Sequence, residues 1–346
     1  MANSDENEIY LTSSPHLVSP FETKTAMRIV TACLAPVALY GIWLYGLPAL
    51  VTVAVSVVSA VVFESLFRLA IGREVRAGDW SAVITGLLLA LVLPPTTAPW
   101  ITALGALFAV VVAKEFFGGL GANVFNPALS GRAFLMVSFA KPLTTWVAPR
   151  GTDAVSGASA MWSATDAVSS ATVLSFMKPG EGGVSSAAEL AAKLGFQSDA
   201  SLYWSMFMGQ RAGCIGESAI FLIAIEGIIL CLTGLVDWRA PVAMLATAVA
   251  VSWATGVDPL LTLLSGGLVF GAVFMVTDYA TSPVTPWGRV IFGAGCGLIA
   301  SLIRLYGGYP EGVMFSILIM NASVPFLDKI IPRKYGTGRR AKGGAK

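Results

Sequence analysis

Two near-identical stretches carry the first chemistry in this chain. Asp153-Ala-Val-Ser-Gly-Ala-Ser159 is followed thirteen residues on by Asp166-Ala-Val-Ser-Ser-Ala-Thr172. Each ends in a hydroxyl set among small side chains. A modifying enzyme can thread such a segment through its active site, so covalent acceptance of a group is the chemistry to consider; a plain Ser-rich linker is the alternative. A second group is ionisable residues in apolar surroundings. Glu226 lies in the middle of an apolar run with no basic neighbour at helical spacing. A charge there costs a few kcal/mol or more in lipid, so Glu226 is a candidate for an ion or proton route. Glu64 and Arg68 are four apart, the spacing of an ordinary helical pair, and Lys114 and Glu115 fall near the end of a run, where they can snorkel. A third group is the turn Gly118, Gly119, Gly121, Asn123, Asn126 and Pro127, whose glycines let backbone amides approach a ring edge or an ion.

The elements that must hold these residues are apolar helices. Bilayer thickness asks for about 20 apolar residues per span, and Arg, Pro and Gly clusters delimit ten segments: 27–45, 48–71, 81–94, 100–117, 132–147, 213–235, 241–256, 259–277, 289–306 and 312–331. The third and seventh are short, which predicts half-spanning or broken helices lining a site. Five spans on either side of 148–212 suit two inverted five-helix halves. GGLGANVFNP at 118–127 and GGYPEGVMFS at 307–316 would be equivalent turns under that scheme, although FNPALSGR at 125–132 also resembles SPVTPWGR at 282–289 on one face.

Composition excludes most other classes. Only 12% of the 346 residues are charged and 55% are hydrophobic, with a mean hydropathy of +0.75. A water-facing surface needs about twice that charge. The net charge of +2 gives no reason to expect a nucleic-acid partner. Cys33, Cys214, Cys231 and Cys296 have no ligand spacing, and there is one histidine, so a protein-built metal centre is not expected. The polar, acidic start lacks the form of a cleaved leader. Arg73, Arg76, Lys114, Arg132, Arg239, Arg289 and the basic tail gather in one set of turns, while 45–48, 94–99, 256–259 and 306–311 have no Lys or Arg. The positive-inside rule then puts both termini in the cytoplasm of a multi-pass inner-membrane protein. The expected organisation is a cytoplasmic segment 1–26, a membrane half 27–147, an extracytoplasmic loop 148–212, a second half 213–331 and a basic tail 332–346. The loop is rich in Ser, Ala, Gly and Thr and is expected to bury little core.

Asp-x-x-Ser-x-Ala-Thr at 166–172 resembles the acceptor motif for covalent flavin mononucleotide in the membrane flavoproteins of the RnfD/NqrB family. These serve Rnf-type complexes and the Na+-translocating NADH:quinone oxidoreductase. Further matching stretches are Ser14-Pro15-His16, Asn123-Val-Phe-Asn126-Pro127-Ala, Thr277-Asp278 with Thr281-Ser282-Pro283, Gly288-Arg289, Arg304-Leu-Tyr-Gly-Gly-Tyr-Pro-Glu-Gly312 and Asn321-Ala322. The resemblance runs from about residue 14 to residue 328. The short segment before the first span is more like RnfD than the longer-headed NqrB.

The resemblance implies an all-α polytopic subunit of an ion-translocating ferredoxin:NAD+ oxidoreductase. Its FMN would be joined as a phosphoester to Thr172 by a flavin transferase, with Asp166, Ser169 and Ala171 completing the motif. Ser170 stands where Gly is common and Val173 where Pro is common, while the upstream copy keeps Gly157 but ends in Ser159. A second, non-covalent flavin, riboflavin, is implied within the bundle, with Asn126, Thr277, Asp278 and Arg289 as its wall. Arg304 would neutralise a flavin phosphate or pair with Glu311. Implied partners are a membrane pair holding an iron–sulfur centre, the flavin-bearing RnfG, and soluble ferredoxin- and NAD-binding subunits. A quinone-reducing relative is the near alternative, and a small-solute channel or carrier is the alternative from another class.

Overall fold

In the computed structural model the described residues are 23–75, 77–147, 186–194, 198–308 and 311–330, with Pro149, Leu174 and Phe196 as isolated points. Those residues contain helices and no strand. In chain order the elements are α1 Thr23–Tyr45, α2 Leu47–Ala70, α3 Ser81–Leu91, α4 Pro99–Leu107, α5 Pro127–Ser138, α6 Ala140–Leu143, α7 Ala187–Leu194, α8 Asp199–Met208, α9 Ile220–Leu232, α10 Arg239–Ala254, α11 Pro259–Leu264, α12 Leu268–Phe270, α13 Pro286–Tyr306 and α14 Val313–Ile330. Among the described residues four stretches are long and apolar enough to cross a membrane: Thr23–Tyr45, Leu47–Ala70, Pro99–Phe117 and Pro286–Tyr306. Large apolar side chains such as Leu39, Val58, Leu66 and Leu69 are more than half exposed on α1 and α2, as lipid contact requires.

A recurring local device starts several helices. Asn126-Pro127, Asp258-Pro259 and Thr285-Pro286 each put a capping side chain ahead of a proline. Asn126 accepts from Leu129 N–H (3.2 Å), Asp258 from Leu260 N–H (2.8 Å) and Thr285 from Gly288 N–H (3.1 Å). The cap satisfies an orphan donor and the proline supplies a helical φ where its missing N–H costs nothing. This explains a shift: the fifth segment, expected at 132–147, begins at Pro127 and ends at Ser138, because the cap lies upstream at Asn126.

Breaks fall where glycine and proline remove helical continuity. The third segment is short, 11 residues ending before Pro94-Pro95. The seventh, expected to be broken, is a continuous 16-residue helix. The interrupted one is the eighth: Ser265-Gly266-Gly267 separates α11 from α12, and Gly266 has φ 60, a conformation that disfavours any side chain. Residues Phe108–Val112 after α4 and Gly271–Met275 after α12 are each one π-helical turn, a device often found beside functional sites.

The packing order recurs in the two halves. α2 packs on α3 and α4, and α4 on α5; α10 packs on α11 and α13, and α13 on α14. Across the middle, α1 meets α9 and α5 meets α14. Gly86 of α3 lies so close to α2 that a Cβ there would sit 2.8 Å from the Ser56 carbonyl oxygen, and the Ser56 hydroxyl donates to Gly86 O (2.6 Å). A main apolar core spans both halves. A smaller one joins α7 and α8 to Val257 and Leu261, so this part of 148–212 does bury apolar side chains, in a core shared with the second half. Among aromatics near the ends of the apolar segments, where Trp and Tyr anchor to the membrane interface, Trp43, Trp100 and Trp238 are exposed, whereas Tyr45 and Trp146 are buried.

Candidate functional site

The helix breaks gather charge at the end of the bundle where α1 ends and α9 and α14 begin. Arg132, on α5, donates through Nη2 to Glu311 Oε2 (2.7 Å) and faces Cys214 Sγ (3.6 Å). The other Glu311 oxygen accepts the Gly267 N–H (2.7 Å) at the α11–α12 break. Glu217 stands in a tight turn, Ile215–Glu217, just ahead of α9, and its Oε1 is buried with no hydrogen-bond partner. The Cys214 sulfur and one carboxylate oxygen each of Glu217 and Glu311 lie within 4.8 Å of one another. These are ligand-type atoms, but the Arg132 guanidinium already engages two of the three residues, and its charge repels a metal cation.

Two further arginines reach this point and spend their N–H groups on main chain. Arg211 donates to the carbonyls of Leu264, Glu217 (2.9 Å) and Gly266 (3.1 Å). Arg304 donates to Thr262 O (3.1 Å) and Ser265 O (3.2 Å), leaving its buried Nε without a partner. Open helix ends supply most of these carbonyls. Tyr45 closes the cluster, donating to Arg211 O (3.1 Å) with Ser218 Oγ 2.9 Å away. Leu174 is buried against the same break: a Cβ built on Gly266 would be 2.7 Å from Leu174 Cδ1 and 3.0 Å from Arg304 Nη2.

A second charged cluster lies at the far end of α2. Glu64 pairs with Arg68 (3.3 Å) and Lys114 (3.1 Å), Arg68 pairs with Glu115 (2.9 Å), and Lys114 also donates to Ser81 Oγ (2.7 Å). Lys114 is 2% exposed. The expectation that Lys114 and Glu115 snorkel is therefore wrong; the turn after α4 folds them inward onto α2.

At that same end, the Asn321 amide of α14, oriented to satisfy both its ends, accepts from Asn126 N–H (3.1 Å) and donates to Thr281 O (3.2 Å). Thr281 in turn donates to Asp278 Oδ2 (3.0 Å). Burial pushes the Asp278 carboxyl up, against the pull of Thr281 and the backbone amides. Arg289 goes elsewhere, to Pro283 O (3.0 Å) and Asp237 Oδ2 (2.6 Å). Burial raises Asp237, but the Arg239 N–H and the Arg289 guanidinium outweigh it and hold the carboxyl below its usual range. A cavity of ≈ 350 Å³ opens here, lined among others by Asp237, Trp238, Thr277, Tyr279 and Arg289.

A profile of the NQR2, RnfD, RnfE family matches residues 10–336. The chain is 40% identical to the D component of the proton-translocating ferredoxin:NAD(+) oxidoreductase complex of Clostridium ljungdahlii, over 98% of this chain and 99% of that one. It is 38% identical to the D component of the Na(+)-translocating ferredoxin:NAD(+) oxidoreductase complex of Acetobacterium woodii (97% and 98%), and 37% identical to that of the ion-translocating oxidoreductase complex of Halorhodospira halophila (95% and 96%). The chain belongs to the NQR2, RnfD, RnfE family.

Within this family member the residues expected to form one flavin wall divide in two. Asn126 and Asp278 are linked through Asn321 and Thr281, whereas Thr277 and Arg289 line the cavity. Arg304 and Glu311 are neighbours, but the acid's ion pair is with Arg132. Arg132, one of the turn residues from which orientation is inferred, is a buried member of the opposite cluster. Glu226 is buried in mid-α9, with the Cys33 thiol of α1 beside it. Asp166, Ser169, Ala171, Thr172 and Ser159 lie outside the described residues, as do Ser14 to His16 and the basic tail. Local spacing does not reveal Arg132, Arg211, Cys214 and Glu217 as a group. The one available signal is Glu217 opening the apolar run of α9, a carboxylate just where a span should begin.

Proposed function

We propose that this chain is the RnfD component of an ion-translocating ferredoxin:NAD+ oxidoreductase, that it carries FMN esterified to Thr172, and that both its ends lie in the cytoplasm. Near-full-length similarity at 40% identity to the D component of such a complex carries the assignment. What supports the flavin is Leu174. Two residues from Thr172 in sequence, it is packed against Gly266, which also adjoins Arg304, whose buried Nε lacks a partner. Bound flavin supplies one-electron chemistry; the chain supplies the tether, the positive field of Arg304 and Arg211, and exclusion of water by Leu174.

In this reading electrons enter from reduced ferredoxin through partner iron–sulfur and flavin subunits and leave to NAD+ on another subunit. Riboflavin belongs to the same proposal. The cavity beside Thr277 and Arg289 is the place to look for it. The relatives named for H+ and for Na+ are about equally similar, so overall identity does not choose the ion.

The test is Thr172→Val, expressed with its flavin transferase and the partner subunits. Flavin fluorescence that stays with the acid-precipitated polypeptide should fall to background, and Ser159→Ala should leave it unchanged. A Thr172→Val protein that keeps its covalent flavin overturns the site; a colourless wild-type protein overturns the redox reading and favours a solute carrier.

A further inference from the structure

Glu217 is a buried carboxylate whose Oε1 meets no donor, and among the described residues it makes no ion pair. Its surroundings come from six places. Glu311 and Cys214 flank it. Arg132 approaches from α5, Arg211 from the segment ahead, and Arg304 from the end of α13. Tyr45 lies behind it, at the end of α1. Three guanidinium groups face two carboxylates, yet only Arg132 reaches a carboxylate oxygen, that of Glu311. The Nη groups of Arg211 and Arg304 are bonded to carbonyls.

An ionised Glu217 would thus leave a bare anionic oxygen in a dry site, which is costly. A proton removes that problem. Oε1 of Glu217 and Oε1 of Glu311 converge on one point: a Cβ built on Gly267 would be 3.0 Å from the first and 2.7 Å from the second. One oxygen of each lies within 4.8 Å of the other, and two buried carboxylates this close titrate as a pair and keep one proton between them. The nearby arginine charges make that proton removable, since they stabilise the pair once both acids are ionised.

We propose that Glu217 and Glu311 hold a single exchangeable proton, and that this pair is a proton-binding station at the end of the bundle where α9 and α14 begin. Release breaks the Glu217 O–H bond. The proton passes to water and the electron pair stays on the carboxylate, facing Arg132, Arg211 and Arg304. Glu226 is not the next station by direct contact. It is nine residues further on, roughly 13 Å of helix rise, and half a turn out of phase. Use of the station in ion transport rests on the assignment above; its existence does not.

Infrared difference spectroscopy on the purified complex, taken while pH is stepped in H2O and D2O, tests the pair. The wild type should give a deuterium-sensitive carboxylic C=O band that disappears as pH rises. Glu217→Gln and Glu311→Gln should each remove that band, while Glu226→Gln should leave it. Glu217→Asp, which keeps an acid, should restore it at a shifted midpoint if Glu217→Gln fails to assemble. A wild-type band unaltered in both Gln variants overturns the station. If the band behaves as expected but the complex moves no ion during electron transfer, the function assigned above fails and the proton site stands.

Discussion

The two buried charge clusters at opposite ends of α2 use similar residues in different balance. Near Lys114 there are two acids and two bases, and each acid has an ion pair: Glu64 with Arg68 and Lys114, Glu115 with Arg68. Near Arg132 there are three arginines and two acids, and Glu217 has no ion pair among the described residues. Their surroundings explain this. In the first cluster Arg68 and Lys114 spend their N–H groups on the Glu115 and Glu64 carboxylates and the Ser81 hydroxyl. The second sits among helix ends and the Ser265–Gly267 break, whose carbonyls absorb the N–H groups of Arg211 and Arg304. Charge in the first is neutralised locally. Charge in the second is left available.

The largest effect that could break this comparison is at Arg132. Arg132→Met should cost about 3–5 kcal/mol, because Glu311 loses its ion pair while remaining buried. The check is thermal denaturation of detergent-purified complex, and a loss below ~1 kcal/mol would mean that Arg211 or Arg304 takes over. Lys114→Met is the matching change at the other end. Glu64 keeps Arg68, so the expected loss in the same assay is smaller, about 1–3 kcal/mol. Equal losses at the two ends would erase the difference in balance. The smallest effect is at the partly exposed pair Asp237–Arg289, where Asp237→Asn should cost under ~1 kcal/mol at neutral pH. Because the Asp237 carboxyl is held below its usual value of 3.8, its contribution is full above that value and is lost as pH falls below it. The variant and wild type should therefore converge in melting temperature only in acid.

Much of the architecture is legible in the chain because it depends on local facts. Apolar runs of span length, proline one residue past a capping side chain, and glycine pairs give helices and their breaks wherever they occur. The misplacements have local reasons too. The fifth helix starts at Pro127 because Asn126 caps it, and the eighth segment breaks at Gly266 because adjacent small residues tolerate a positive φ. The candidate site is less legible. Asn126 and Asp278 stand out as turn residues, and they do join one network, but the joint is Asn321, which contributes through its amide on a different helix. Lys114 reads as an interfacial cation since nothing in its own neighbourhood announces that the turn folds inward.

Taken alone, the order of residues determined the solvent of this protein, the type and approximate ends of its helical segments and, through motif order, its family, since each of these is written in stretches of tens of residues. Only the tertiary structure decided that Arg132 meets Glu311, 179 positions away, and that Glu217 Oε1 has no donor. Pairing over that distance depends on how α5 and α14 cross and on where the α11–α12 break points its amides, and neither leaves a trace in local spacing.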